Sequence, residues 1–143
     1  MCGIAGIFGP YGDDSELAYS MAAMVNHRGP DGIQSWSEPC KHGGVGLGHT
    51  RLSIVDVEGS TQPLHSDSGC VLIMNGEIYN HQTIRDEERG FAFRTQGDGE
   101  SILAAYAARK DDFSWVQRLN GIWSFALWDS ARNVLLLCRD RLG

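Results

Sequence analysis

No apolar run in this sequence approaches the roughly 18 residues that a membrane-spanning helix requires, so a chain embedded in a bilayer is not expected. Positive charge is also sparse: 12 Lys and Arg against 18 Asp and Glu leave a formal charge of -6. The cations stand singly, forming neither a basic stripe for a phosphate backbone nor a polybasic patch for anionic lipid. Neither nucleic acid nor membrane is an expected partner. The start does not read as a secretory leader either, because Tyr11, Gly12, Asp13 and Asp14 interrupt the apolar run and no positive flank precedes it, so the expected compartment is the cytoplasm. Repeats, low-complexity tracts and Pro-rich linkers are absent, and the 143 residues read as one domain.

Cysteine is scarce and dispersed. Cys2, Cys40, Cys70 and Cys138 show none of the paired short spacings of a zinc site, and nothing indicates an oxidising compartment, so reduced thiols are expected. A cluster of Cys40, His42, His49 and Cys70 follows no known zinc spacing, and no metal site is assigned. Cys70 and Cys138 lie in apolar runs and read as small buried hydrophobes, a description that does not suit Cys2.

What is present has a clear order. Residues 3–8, GIAGIF, read as a strand, and DDSELAYSMAAMVNHRG reads as a helix with Asp or Ser at its N-cap. Leu17, Met21, Met24 and Val25 share one face of it, and Gly29 with Pro30 ends it. IQSWS, GVGLGHTRLSIVD and CVLIMNGEIYN carry β-type apolar residues between Gly, Ser, Pro and Asp punctuation and predict strands. Helical spacing returns in GESILAAYAAR through Ile102, Leu103, Tyr106 and Ala107, with a shorter amphipathic turn from Trp115 to Leu119. Two apolar runs around DSARN, in GIWSFALWDSARNVLLLCRD, predict an antiparallel hairpin. The order predicts an α+β fold with helices packed on mainly antiparallel sheets. The chain stops at Arg141, Leu142 and Gly143 without a polar fade-out, which reads as a C-terminal truncation.

Removal of Met1 would leave Cys2 with a thiol and a free α-amine on one residue. Their ordinary pKa values, about 8.5 and about 7.7 to 8.0, make proton exchange between them nearly balanced at neutral pH. A thiolate is the attacking form, and an N-terminal amine is an established base for such a nucleophile. The dipeptide alone also describes an ordinary cysteine. Attack on an amide needs oxyanion donors, and Asn75 with the Gly76 N–H in MNGEIYN offers two, although Asn-Gly is also a plain turn signal. Arg51 in GHTRLSIVD has the fork to hold a carboxylate, or is a solvated surface arginine. Asp98 in TQGDGES is placed to accept from an ammonium group, or to cap the helix beside it. Nucleophile, oxyanion donors, carboxylate receptor and ammonium receptor together suit an α-amino acid with a side-chain amide, for which glutamine is the natural candidate.

The segments MCGIAGIFG, NHRGPDG, GHTRLSIVD, QPL, NGEIYN, LNGIWSFALWD and RDRLG, in this order from Cys2 to Gly143, resemble the class II glutamine amidotransferases of the N-terminal-nucleophile hydrolase type. HRGPDG followed by GHTRLSIVD is most similar to the glutaminase domain of asparagine synthetase. The resemblance implies a four-layer αββα sandwich, here without its last strands, and hydrolysis of glutamine to glutamate and ammonia through a Cys2 thioester. It implies Asn75 and the Gly76 amide as the oxyanion hole and Arg51 as the α-carboxylate receptor. Leu52, Ser53, Ile54 and Val55 would supply backbone contacts to glutamine, and Asp98 and Glu77 would face the α-amino end. Arg28 and Asp31 would be structural. Such a glutaminase needs no cofactor of its own. ATP and Mg belong to a C-terminal synthetase domain, absent here, that converts aspartate to asparagine with the ammonia, in an enzyme expected to be a homodimer. The alternatives are the glutaminase module of an amidotransferase with another acceptor, or a truncated glutamine-binding domain without turnover.

Two departures carry expectations. Ser and Thr usually flank the binding aspartate, whereas Gly97 and Gly99 stand here, which predicts fewer local hydrogen bonds and looser glutamine binding. The stretch NHQTIRDEERG is slightly short, a change expected to touch a surface helix rather than the site.

Overall fold

The computed structural model describes residues 2–52 and 61–142. Strand β1 (Gly3–Gly9) leads into helix α1 (Ser15–Ala23) and a 3-10 turn (Asn26–Arg28), followed by the hairpin of β2 (Gly32–Cys40) and β3 (Gly43–Arg51). Then come β4 (Leu64–His65), β5 (Cys70–Ile78), helices α2 (His81–Glu87), α3 (Glu100–Arg109) and α4 (Ser114–Gln117), and the hairpin of β6 (Gly121–Asp129) and β7 (Val134–Arg139). The strands form two antiparallel sheets, ordered β1-β3-β2 and β4-β5-β6-β7.

Side-chain alternation explains how these sheets stack. Val45 and Leu47 of β3 meet Val71 and Ile73 of β5 and Ala126 and Trp128 of β6, a core held between the sheets. The other face of β5, through Leu72, Met74 and Ile78, packs with Ile84, Ile102, Leu103, Tyr106 and Trp115 of the three later helices. Coverage on both faces is why β5 reads as the continuous apolar run CVLIM rather than an alternating one. With α1 on the outer face of the first sheet, the layers run α, β, β, α, as the resemblance implied. Each fully buried Leu or Ile here contributes about 2 kcal/mol of transfer free energy.

Helix α1 corrects one expectation. Asp14 caps it as predicted, its carboxylate accepting from Leu17 N at 2.9 Å. The helix ends at Ala23, however, and buries Ala18 and Ala22, whereas Met24 is 82% exposed. The cause lies in β3: Gly44, Gly46 and Gly48 present a face without side chains, so α1 settles backbone-close and only small residues fit beneath it. A Cβ on Gly48 would stand 2.4 Å from the Ala18 carbonyl oxygen.

Helix α3 is close to its predicted span, although Ala107 is exposed and Glu100 and Ser101 are buried. The β6–β7 hairpin forms around residues 130–133, where the Arg132 amide donates to Asp129 at 3.0 Å and Asn133 adopts φ 57°. Cys70 is buried as expected, while Cys138 is only partly so, and burial pushes both thiols up. β4, two residues long, left no periodic signal to read.

Candidate functional site

Cys2 immediately precedes β1, and the Gly3–Thr50 pairing places it opposite Arg51 at the end of β3. Its Sγ receives the Leu52 N–H at 3.3 Å and lies 3.8 Å from the Leu52 carbonyl oxygen, to which the thiol donates. The backbone around it is fastened twice: Gly3 N donates to Thr50 Oγ1 at 2.9 Å, and Arg28 Nε donates to the Cys2 carbonyl at 3.1 Å. Asp31 N donates to the Arg51 carbonyl at 2.9 Å. The Arg28 side chain and the Asp31 backbone amide thus brace the strand ends.

Alternation continues the inter-sheet face beyond the apolar core. On β3, Val45 and Leu47 are followed by His49 and Arg51; on β5, Val71 and Ile73 are followed by Asn75 and Glu77. One end of the sandwich therefore carries Cys2, His49 and Arg51 from one sheet and Asn75 and Glu77 from the other. His49 ties the two together through a hydrogen bond with the backbone of Met74, the residue before Asn75. It is 2% exposed, and its buried Nε2 has no hydrogen-bond partner among the described residues. Burial first, and then the Arg51 charge, lower its pKa to about 4, and the Met74 bond opposes this without cancelling it. A neutral imidazole consequently stands beside the arginine.

Asn75 and Gly76 form no turn. They lie within β5, paired with Ser124 and Trp123, and Gly76 adopts φ 131°. The Asn75 Oδ1 is buried and has no hydrogen-bond partner among the described residues. Gly76 and Glu77 are exposed at the strand end. Asp98 arrives from the loop before α3, and its Oδ2 accepts from Ile78 N at 2.7 Å. Its side chain therefore braces β5 beside Glu77 instead of capping α3, whose N-cap residue, Gly99, makes no side-chain bond. Ser53, Ile54 and Val55 lie outside the described residues.

Sequence reasoning singled out Cys2, Arg51, Leu52, Asn75, Gly76, Glu77 and Asp98, and the fold directs all of them to this end of the sandwich. It missed His49, Thr50 and Glu100 as contributors. The available signals were polar residues at inward positions: His49 two residues from Arg51 on an alternating strand, and a carboxylate in the first turn of an otherwise apolar helix.

Two antiparallel sheets layered between helices, with a cysteine at the head of the first strand, define the fold and its site. The chain belongs to the family described as the glutamine amidotransferase domain, which it matches over residues 1–143. It is 41% identical over 148 residues to asparagine synthetase B (glutamine-hydrolyzing) of Escherichia coli K12, covering 100% of this chain and 26% of that one. It is 38% identical over 148 residues to the glutamine-hydrolyzing asparagine synthetase of Asparagus officinalis, covering 100% and 24%. The chain thus spans about a quarter of the length of these relatives. Among solved structures, the Bacillus subtilis glutamine phosphoribosylpyrophosphate amidotransferase, complexed with ADP and GMP, shares the fold with a TM-score of 0.72 at 19% identity, over 96% of this chain and 37% of that one.

Proposed function

We propose that this chain is the glutamine-hydrolysing half of an asparagine synthetase. The observation that carries the reading is the juxtaposition at the sandwich end: a thiol anchored on the Leu52 amide at 3.3 Å in one sheet, and the Asn75–Gly76 strand end in the other. With Met1 removed, the Cys2 amine takes the thiol proton as Sγ attacks the side-chain carbonyl carbon of glutamine. The carbonyl oxygen becomes an oxyanion held by the Asn75 amide and the Gly76 N–H. As the intermediate collapses, the C–N bond breaks, the amine returns its proton to the leaving nitrogen, and ammonia departs from a Cys2 thioester. Water, deprotonated by the same amine, attacks the thioester carbon, releasing glutamate and restoring the thiol.

Arg51 pairs with the substrate α-carboxylate, and Asp98 and Glu77 face its ammonium group. Neutral His49 adds no second positive charge beside Arg51. The ammonia would serve the ATP-dependent conversion of aspartate to asparagine in a synthetase half, within a cytoplasmic homodimer of full-length chains. The names of the relatives and their fourfold greater length support the presence of a synthetase half in such a protein. ATP and magnesium belong with the synthetase half, and no residue described here is assigned to either.

The test is glutamate release from glutamine by this chain and by Cys2→Ala, with intact mass measured for both. Glutamate release by a protein lacking Met1, abolished in Cys2→Ala without loss of the folding transition, is expected. Active protein that retains Met1 would defeat the mechanism.

A further inference from the structure

Asp98 stands between two glycines, Gly97 and Gly99, which give it no neighbouring side chains to hold it in place. Its segment is fixed by a residue two positions further on. Glu100 is 2% exposed at the start of α3, and its carboxylate turns back onto the loop. It accepts from Arg94 N at 3.0 Å, from Thr95 N at 2.8 Å and from Thr95 Oγ1 at 2.9 Å. Thr95 Oγ1 in turn accepts from Gly97 N at 3.2 Å.

Helix α2 closes the arrangement from the other side. Arg85 Nη2 donates to the Gly97 carbonyl at 2.6 Å and reaches Glu100 Oε2 at 3.5 Å, with its guanidinium stacked 4.3 Å from the Phe93 ring centroid. The Asp98 carbonyl is held by Ser101 through N at 3.0 Å and Oγ at 2.6 Å. The loosening expected from Gly97 and Gly99 is thus met by bonds from outside the tripeptide. Arg85, within the Asn80–Gly90 stretch, grips the residue next to Asp98.

We propose that Glu100 and Arg85 form a clamp that positions Asp98 as the receptor for the substrate's ammonium group, making both positioning residues for glutamine affinity. This rests on the glutaminase reading above. The clamp touches neither Cys2 nor the Asn75–Gly76 strand end, so its loss weakens binding of the amino-acid head while sparing the thiol and the oxyanion donors. A general packing role would instead disturb both together.

Steady-state glutamine hydrolysis by Glu100→Ala, Glu100→Gln, Thr95→Val and Arg85→Lys separates these cases. It is paired with the rate of Cys2 alkylation by iodoacetamide, which has no ammonium group, followed by peptide mass mapping with and without glutamine. The expected result is a KM raised about tenfold or more in Glu100→Ala, the size of one lost charge-assisted contact, and less in the three milder variants. kcat should stay within about twofold, and Cys2 alkylation without glutamine should be unchanged. If Glu100→Ala does not fold, Thr95→Val and Glu100→Gln decide. A wild-type KM in those folded variants overturns the clamp, as does a parallel fall of kcat and Cys2 alkylation. Glutamine failing to protect wild-type Cys2 from iodoacetamide overturns the glutaminase reading and the clamp with it; equal protection in wild type and the variants overturns the clamp alone.

Discussion

Gly76 and Asn75 are neighbours with opposite constraints, and substitution separates their roles. A Cβ on Gly76 would stand 2.0 Å from the Ile122 carbonyl oxygen and 2.6 Å from the Trp123 Cα, at a φ of 131°. Both obstacles are backbone, so Gly76→Ala must shift a strand and is expected to cost about 2–4 kcal/mol in urea unfolding. Asn75 meets no such obstacle, and its Oδ1 has no hydrogen-bond partner to lose among the described residues. Asn75→Ala should therefore leave the urea midpoint nearly unchanged while kcat for glutamine falls about 10²-fold or more, the scale for loss of one oxyanion donor. An Asn75→Ala enzyme with unaltered kcat would remove this residue from the chemistry. The pair shows what local sequence conveys and what it withholds. Asn-Gly flagged the position through its donors, and although the same dipeptide also signals a turn, pairing with Ser124 and Trp123 bears out the strand predicted over CVLIMNGEIYN and fixes its partners, which no local pattern names. Asp98 behaves similarly: its identity was readable between glycines, but its bond to Ile78 N spans 20 residues that no local pattern connects.

Among the elements, legibility followed how much of each one's environment its own residues encode. β5 announced itself because two covering layers require apolar residues on both faces, and the β6–β7 hairpin because its polar turn separates two apolar runs. The reading of α1 missed where its buried centre lies: Ala18 and Ala22 are buried and Met24 is exposed, a choice made by the glycines of β3, a partner more than 20 residues away. The α1–β3 contact is therefore the place to test how packing far from Cys2 supports it. Gly48→Ala puts a methyl 2.4 Å from the Ala18 carbonyl and 2.9 Å from the Ala22 Cβ. The helix must rise off the sheet, at an expected cost of about 1–3 kcal/mol. Because the 3-10 turn after α1 carries Arg28, which holds the Cys2 carbonyl, kcat should fall in the same variant. A Gly48→Ala protein with the wild-type urea midpoint would show that this interface has slack the close approach does not suggest.

For the molecule as a whole, His49 couples the join between the sheets to pH. Its pKa is about 4 in the folded chain against an ordinary 6.5, so between those values the unfolded chain binds a proton that the folded chain refuses. Stability therefore rises with pH across this window. The contribution is fully present above about pH 6.5 and is lost as pH falls toward 4, at about 1.4 kcal/mol per pH unit and about 3 kcal/mol in total. Against the 5–15 kcal/mol that holds a typical domain together, that loss is large enough to measure well above the acid range where carboxylates dominate. The experiment compares urea unfolding free energies between pH 7.5 and 4.5 for the wild type and His49→Gln. The variant replaces the titrating ring with an amide of similar reach, and its free energy should change less steeply by about one proton. His65, also lowered by burial and by Arg94, remains in both proteins and cancels from the difference. Equal slopes would mean that the inter-sheet imidazole is protonated alike in the folded and unfolded chains, and that the sheets meet at the Cys2 end without a proton-excluding interior.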